Sequence, residues 1–240
     1  MENWTERTRL LIGEEGLHKL SHAHVLVAGL GGVGGYAAEQ LCRAGIGMMT
    51  LIDGDTIHTT NRNRQVLALI HNEGMSKARV MAQRLKDINP DIELEIISDY
   101  VKENRFDSIL SKSFDYVVDA IDTLTPKVFL LAESVKKGYP VVSSMGSGGR
   151  LHPEKIKVAD IADSHHCRFA HMVRKYLHRL GIHAGITVVY SPESVRKETV
   201  QLVYGEENKR SVVGTVSYMP PVFGCYCASV VIRDLLGVGR

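Results

Sequence analysis

The chain has 240 residues, 44% of them hydrophobic and 23% charged, with a formal net charge of +2. That length accommodates one α/β domain with a substantial core, and the composition is that of an ordinary globular protein, which excludes the disordered class. No unbroken run of 18 apolar residues occurs, the charged N-terminus MENWTERTRL lacks an apolar signal core, and four cysteines (Cys42, Cys167, Cys225, Cys227) are too few for a disulfide framework. These features point to a reducing, cytoplasmic setting without a membrane partner.

In chain order, a short polar arm leads to a helix at Glu14–Ser21. Val25–Ala28 is an apolar run of strand length that stops at glycines, and Tyr36–Ala44 resumes with helical spacing. Residues 50–55 (TLIDGD) form a second buried strand ending in acids, and Ser76–Asn89 an amphipathic helix stopped by Asn89-Pro90. Leu94–Ser98 is a third strand and 114–122 (FDYVVDAID) a fourth, before a helix over 126–137 and a fifth strand over 140–144. Beyond the glycines at 146–149 the pattern weakens. Residues 163–180 form a basic helix, 188–193 and 199–204 are strands around a charged turn, and 222–236 is a buried closing helix. Strands alternating with helices imply right-handed crossovers. The expected fold is α/β, a doubly wound, mostly parallel Rossmann-like sheet with a C-terminal insertion and a closing helix.

Residues 29–35 place Gly29, Gly31, Gly32 and Gly34 between a strand and a helix. Glycines there allow a tight turn and close backbone approach, and the helix N-terminus offers N–H donors to a phosphate. Asp53 lies about 20 residues on, where a carboxylate takes ribose hydroxyls. Those two features alone suit a nicotinamide enzyme as well as an ATP enzyme. The next block separates them. Asp55, Asn61, Arg64 and Gln65 follow the second strand, Lys77 opens the next helix, and Asp122 ends strand four. Ligands bind outside the carboxyl ends of such strands, so these side chains converge on one rim. Two cations and several carboxylates suit a triphosphate with Mg²⁺ better than nicotinamide, with Asp122 as the candidate metal ligand. The organisation expected is one domain: residues 1–22 as arm and helix, 23–150 as nucleotide-binding core, and 151–240 as substrate-side insertion with the closing elements.

Taken in order, GLGGVG (29–34), LIDGDTIHTTNRNRQ (51–65), GMSKA (74–78), INP (88–90) and VVDAID (117–122) resemble the ubiquitin-activating-enzyme-like adenylating superfamily, which includes the molybdopterin- and thiamine-synthesis adenylyltransferases. The resemblance implies that the Gly31–Gly32 turn cradles the α-phosphate and Asp53 the ribose. It puts Asn61, Arg64 and Lys77 on the triphosphate and Asp122 on Mg²⁺. It also implies a homodimer in which an N-terminal arginine, here Arg7 or Arg9, reaches the partner's nucleotide, and it allows a monovalent cation beside the nucleotide.

Within that superfamily, RAGIGMMTLID (43–53), TNRNRQ (60–65), VMAQRLKDINP (80–90), DAIDTLTPK (119–127), SSMGSGGRLHPEKIKVADI (143–161) and VVYSPE (188–193) are similar to the tRNA threonylcarbamoyladenosine dehydratases. That branch implies a cyclising ligase that forms AMP and pyrophosphate while dehydrating threonylcarbamoyladenosine next to the tRNA anticodon. The alternative is adenylation of the C-terminal glycine of a ubiquitin-like sulfur carrier. Carrier-activating members commonly hold zinc with two Cys-x-x-Cys pairs. This chain has none, and Cys225-Tyr226-Cys227 alone cannot complete a tetrahedral site, so no zinc is expected. His165, His166, Cys167 and His171 fit a polar surface better than a metal site, and core packing is the expected role of Cys225, with covalent catalysis by Cys225 or Cys167 as the alternative.

Charge is uneven. Residues 151–215 hold 10 Lys/Arg against 7 Asp/Glu and 6 of the 11 histidines, the rest 19 against 20. On the basic helix Arg168, Arg174, Lys175 and Arg179, with His166 and His171 nearby, are the expected tRNA phosphate contacts, and Lys209 and Arg210 are further candidates.

Overall fold

A computed structural model describes residues 4–101, 105–202 and 211–239. At its centre the run Val25–Ala28 is fully buried, as an all-apolar strand covered on both faces must be. It belongs to β1 (His24–Ala28), which pairs in parallel with β2 (Met48–Ile52) on one side and β4 (Tyr116–Asp119) on the other. β3 (Glu93–Ile97) lies outside β2, while β5 (Val141–Ser144) and β7 (Thr187–Tyr190) follow β4, all parallel. β6 (Lys157–Asp160) runs antiparallel to β7 and closes that edge. The order β3-β2-β1-β4-β5-β7-β6 is the doubly wound arrangement expected.

Alternate residues of β1 serve opposite cores. Val25 and Val27 pack with α1 (Glu6–His22), α2 (Gly34–Ala44), α3 (Lys77–Ile88) and α7 (Met219–Leu236). Leu26 and Ala28 pack with α4 (Phe106–Ile109), α5 (Leu124–Lys136) and α6 (Arg168–Arg179). A separate antiparallel pair, β8 (Val200–Leu202) and β9 (Ser211–Val213), stands beside the glycines after β5.

Several boundaries differ from the expectation, each for a local reason. β2 stops at Ile52, so Asp53 and Asp55 sit in a loop. β4 stops at Asp119, whose side chain turns inward, so Asp122 lies beyond the strand rather than ending it. The basic helix begins at Arg168, not at 163, because Ile161–Asp163 forms a 3-10 turn and His166 takes φ +55, which a right-handed helix cannot continue. α7 starts at Met219, since Pro220 and Pro221 are tolerated in a first turn, whose N–H groups have no intrahelical partner. α1 starts at Glu6 and is broken by Gly13 at φ +75. β6, β9 and α4 were not expected.

By length and apolar composition α7 is the one described helix that could cross a membrane. Here Phe223, Cys227, Val230 and Val231 are fully buried, packed against α2 and the sheet. A Cβ on Gly224 would stand 2.4 Å from the Val33 carbonyl oxygen, so the start of α2 and α7 approach as only glycine permits.

Candidate active site

The turn after β1 closes because its glycines have no side chain. Gly29 takes φ +86 and donates its N–H to the Ile52 carbonyl at 2.8 Å. A Cβ on Gly34 would fall 1.8 Å from the Gly29 oxygen. Asp53 fastens this turn to the loop after β2, because its two oxygens accept the N–H groups of Leu30 (2.6 Å) and Asp55 (2.8 Å). One lone pair on each oxygen is left for ligand hydroxyls. Burial pushes the Asp53 carboxyl upward, while the Lys77 charge and the two N–H donors act to keep it ionised.

Lys77, nearly buried, donates to Asp55 at 2.7 Å, so cation and carboxylate enter the wall as a pair. Tyr100 donates its hydroxyl to the other Asp55 oxygen, and that bond pushes the phenol up to about 12. The segment 61–65 lies against the glycine turn. Arg64 is half-buried, bonded to the Thr60 carbonyl at 3.0 Å and to Asn63 Oδ1 at 2.8 Å, and burial pulls its guanidinium downward against the charge of Asp122. Asn61 is buried and accepts the His58 N–H, which fixes the bend. Gln65 packs its amide against Gly31, and its Oε1 is the one buried side-chain polar atom without a hydrogen-bond partner among the described residues. An orphaned acceptor beside a phosphate-binding turn is what a site built for a ligand leaves open. A Cβ on Gly32 would stand 2.9 Å from Pro220, and Asn63 donates to the Thr215 carbonyl at 2.9 Å, so the chain entering α7 pins this segment from the far side.

Asp122 is exposed and makes no hydrogen bond or ion pair among the described residues. Its loop is held from below. Fully buried Lys127 donates to Asp119 Oδ2 (2.5 Å), Ser143 Oγ (3.2 Å) and the Ser144 carbonyl (3.0 Å), and Asp119 Oδ1 accepts the Ile121 N–H. Further along the rim, buried Arg150 ties Gly146, Gly148 (3.1 Å) and Ser191 (3.1 Å) through their carbonyls and reaches Cys167 Sγ at 3.4 Å. Glu193 accepts the N–H groups of Leu151 and His152.

The remaining candidates divide. Arg9 is engaged by Glu6 and Glu14 across the Gly13 kink, whereas Arg7 is exposed without an ion pair among the described residues. Arg168, Lys175 and Arg179 are exposed on α6. Arg174 is half-buried and donates to the Ile161 and Ser164 carbonyls and Ser164 Oγ, so it braces the turn rather than facing solvent. Lys209 and Arg210 lie outside the described residues. Cys225 is exposed, against the packing role expected for it. Cys227 is the buried member, and burial pushes its thiol up to about 12.

The model of the ThiF family matches residues 5–240. The chain belongs to the ThiF family. It is 36% identical to the tRNA threonylcarbamoyladenosine dehydratase of Bacillus subtilis over 237 residues, 96% of this chain and 93% of that one. It superimposes on the crystal structure of Escherichia coli tRNA N6-threonylcarbamoyladenosine dehydratase, TcdA, in complex with ATP with a TM-score of 0.88 at 34% identity, covering 99% of this chain and 96% of that one. The sulfur carrier protein ThiS adenylyltransferase of E. coli is 33% identical over 142 residues, 58% of this chain and 56% of that one.

In this ThiF-family chain, sequence reasoning missed Asp119, Lys127 and Arg150. A weak signal for the pair was available: Lys127 is the only charged residue in the stretch 123–132, which is otherwise mainly apolar. Arg150 gave none, because its partners are backbone carbonyls and the thiol of Cys167 rather than a carboxylate.

Proposed function

We propose that this ThiF-family chain is an ATP-dependent tRNA threonylcarbamoyladenosine dehydratase. The observation that carries the proposal is the likeness, along nearly the whole of both chains, to the ATP-bound E. coli dehydratase. The rim supports it, since the chemistry needed is positioning and charge stabilisation rather than a protein nucleophile.

A carboxylate oxygen of the threonylcarbamoyl group attacks the α-phosphorus of ATP, and pyrophosphate leaves. The carbamoyl group of the same nucleoside then attacks the activated acyl carbon, the ring closes, and AMP departs carrying the oxygen lost by the carboxylate. Backbone N–H groups of the Gly31–Gly32 turn hold the α-phosphate, while Asp53 binds the ribose through its free lone pairs. Arg64, and Lys77 from its pair with Asp55, offset phosphate charge, with Asn61 holding the bend that aims Arg64. Mg²⁺ usually takes one or two carboxylates together with substrate phosphates and water, so an exposed, unpaired Asp122 fits it. The ion would neutralise phosphate charge there. The open Gln65 Oε1 suits a nucleotide donor or a monovalent cation.

The same proposal assigns a homodimer, with Arg7 rather than Arg9 reaching the partner's nucleotide, because Arg9 is committed to its own helix. It also assigns a cytoplasmic location, where tRNA is and where four free cysteines stay reduced. Carrier activation is the rival. AMP release should depend on tRNA bearing threonylcarbamoyladenosine and be absent with a ubiquitin-like carrier ending in glycine. The reverse dependence would assign the carrier reaction instead.

A further inference from the structure

The outer side of α6 and the turns at its two ends form a surface unlike the rest of the chain. Five histidines are exposed there: His165, His166, His171, His178 and His183. Arg168, Lys175 and Arg179 share the surface, with Arg179 stacked over exposed Tyr176 at 5.0 Å. Asp163 is the only carboxylate between Ile161 and Thr187.

The helix runs away from the candidate active site. It leads into the start of β7, so it descends antiparallel to the central strands. Its first end is at the rim, where His165 Nδ1 lies 3.1 Å from the Tyr190 hydroxyl at the end of β7 and Cys167 touches Arg150. Its last end brings the His178 and His183 rings to 4.7 Å. Twelve residues of helix extend about 18 Å from the one to the other.

The neighbouring carboxylates are engaged elsewhere, Asp160 accepting the Ala162 N–H at 2.8 Å and the Gly185 N–H at 2.7 Å. None of the five forms an ion pair among the described residues, the only histidine pair there being His152 with Glu154. On α5, which packs against α6, Lys127 is buried with Asp119, and Glu133 pairs with Lys136 at 2.7 Å. Lys137, just past that helix, pairs with Asp107 at 2.7 Å. The 161–163 turn contributes Asp163, whose carbonyl faces the His165 ring. β7 contributes the Tyr190 hydroxyl, which burial holds in its neutral form.

We propose that this face binds the phosphate backbone of the RNA substrate and that its histidines make the binding proton-linked, tighter as pH falls. The inference rests on the dehydratase assignment. Three permanent cations supply a base level of phosphate contact, and histidine is the side chain that gains its charge between about pH 8 and pH 5. Each added phosphate contact steepens the fall of log affinity with log salt by about 0.9 for a duplex. An RNA stem whose modified nucleotide reaches the rim would lay its backbone along the helix.

The test is fluorescence anisotropy of labelled, unmodified tRNA titrated with the full chain at several KCl concentrations, at about pH 8 and pH 6. Affinity should rise at least about tenfold at the lower pH, and the salt slope should steepen by about 2 or more. In the His171→Gln/His178→Gln/His183→Gln triple variant, with its melting temperature checked, most of that pH-linked gain should disappear. Lys175→Gln/Arg179→Gln should weaken binding at both pH values. If the triple variant keeps the full gain, the proposal is overturned while the dehydratase assignment stands. If no tRNA binds at either pH, both fall. If vesicles rich in anionic lipid show the pH-linked binding and tRNA does not, the surface serves a membrane and the proposal is again overturned.

Discussion

Replacing Lys127 with methionine is expected to cost the fold about 3–5 kcal/mol, the usual penalty for breaking a buried ion pair by removing one partner. Both Lys127 and Asp119 are wholly inaccessible to solvent. Methionine is unbranched like lysine and one atom shorter, so it keeps much of the packing near Phe169, whose ring centre lies 5.8 Å from the ammonium. It leaves the Asp119 carboxylate buried, with only Ser143 and the Ile121 N–H to support it. Adding Asp119→Asn should restore a large part of the loss, because the stranded charge is then gone. Urea denaturation of the parent, the two single variants and the double variant reads this directly. A loss below about 1 kcal/mol in Lys127→Met would mean that the pair is not the clasp beneath the rim described above.

Asp122→Ala is expected to do the opposite, sparing the fold and removing the reaction. The side chain is exposed and makes no hydrogen bond or ion pair among the described residues, so stability should stay within about 0.5 kcal/mol of the parent. Turnover at saturating ATP and modified tRNA should fall by about 10²-fold or more, the scale on which losing an electrostatic group at the reacting centre is felt. Parent rates in Asp122→Ala would remove the metal role proposed for it.

The two residues show where sequence reading succeeds and where it stops. The mostly parallel, doubly wound sheet was legible because apolar runs of strand length alternate with helical spacing, and crossover handedness leaves few arrangements. The nucleotide turn was legible because Gly29 and Gly34 stand where no side chain fits. Asp122 was expected to end the strand and lies beyond it. The ladder ends after Asp119, which pairs with Ala28 and Ser143 and gives its carboxylate to a lysine on the next helix, a tertiary arrangement that the string VVDAID does not encode. β6 escaped because a short, half-exposed edge strand such as Lys157–Asp160 has too few residues to display a period. Cys225 turned out exposed and its neighbour Cys227 buried because α7 is apolar around most of its girth, so its pattern does not say which side faces out. Arg7 and Arg9 were equivalent in sequence. The salt bridges of Arg9 to Glu6 and Glu14, made around the Gly13 kink, separate them.

The most direct measurement is the mass of the modified nucleoside after threonylcarbamoylated tRNA is incubated with the protein, ATP and Mg²⁺, then digested under mild conditions that spare a hydrolysable ring. The dehydratase assignment requires a product lighter by one water, formed only when ATP is present and accompanied by AMP. An unchanged nucleoside, with ATP present and the tRNA shown to be bound, would contradict it.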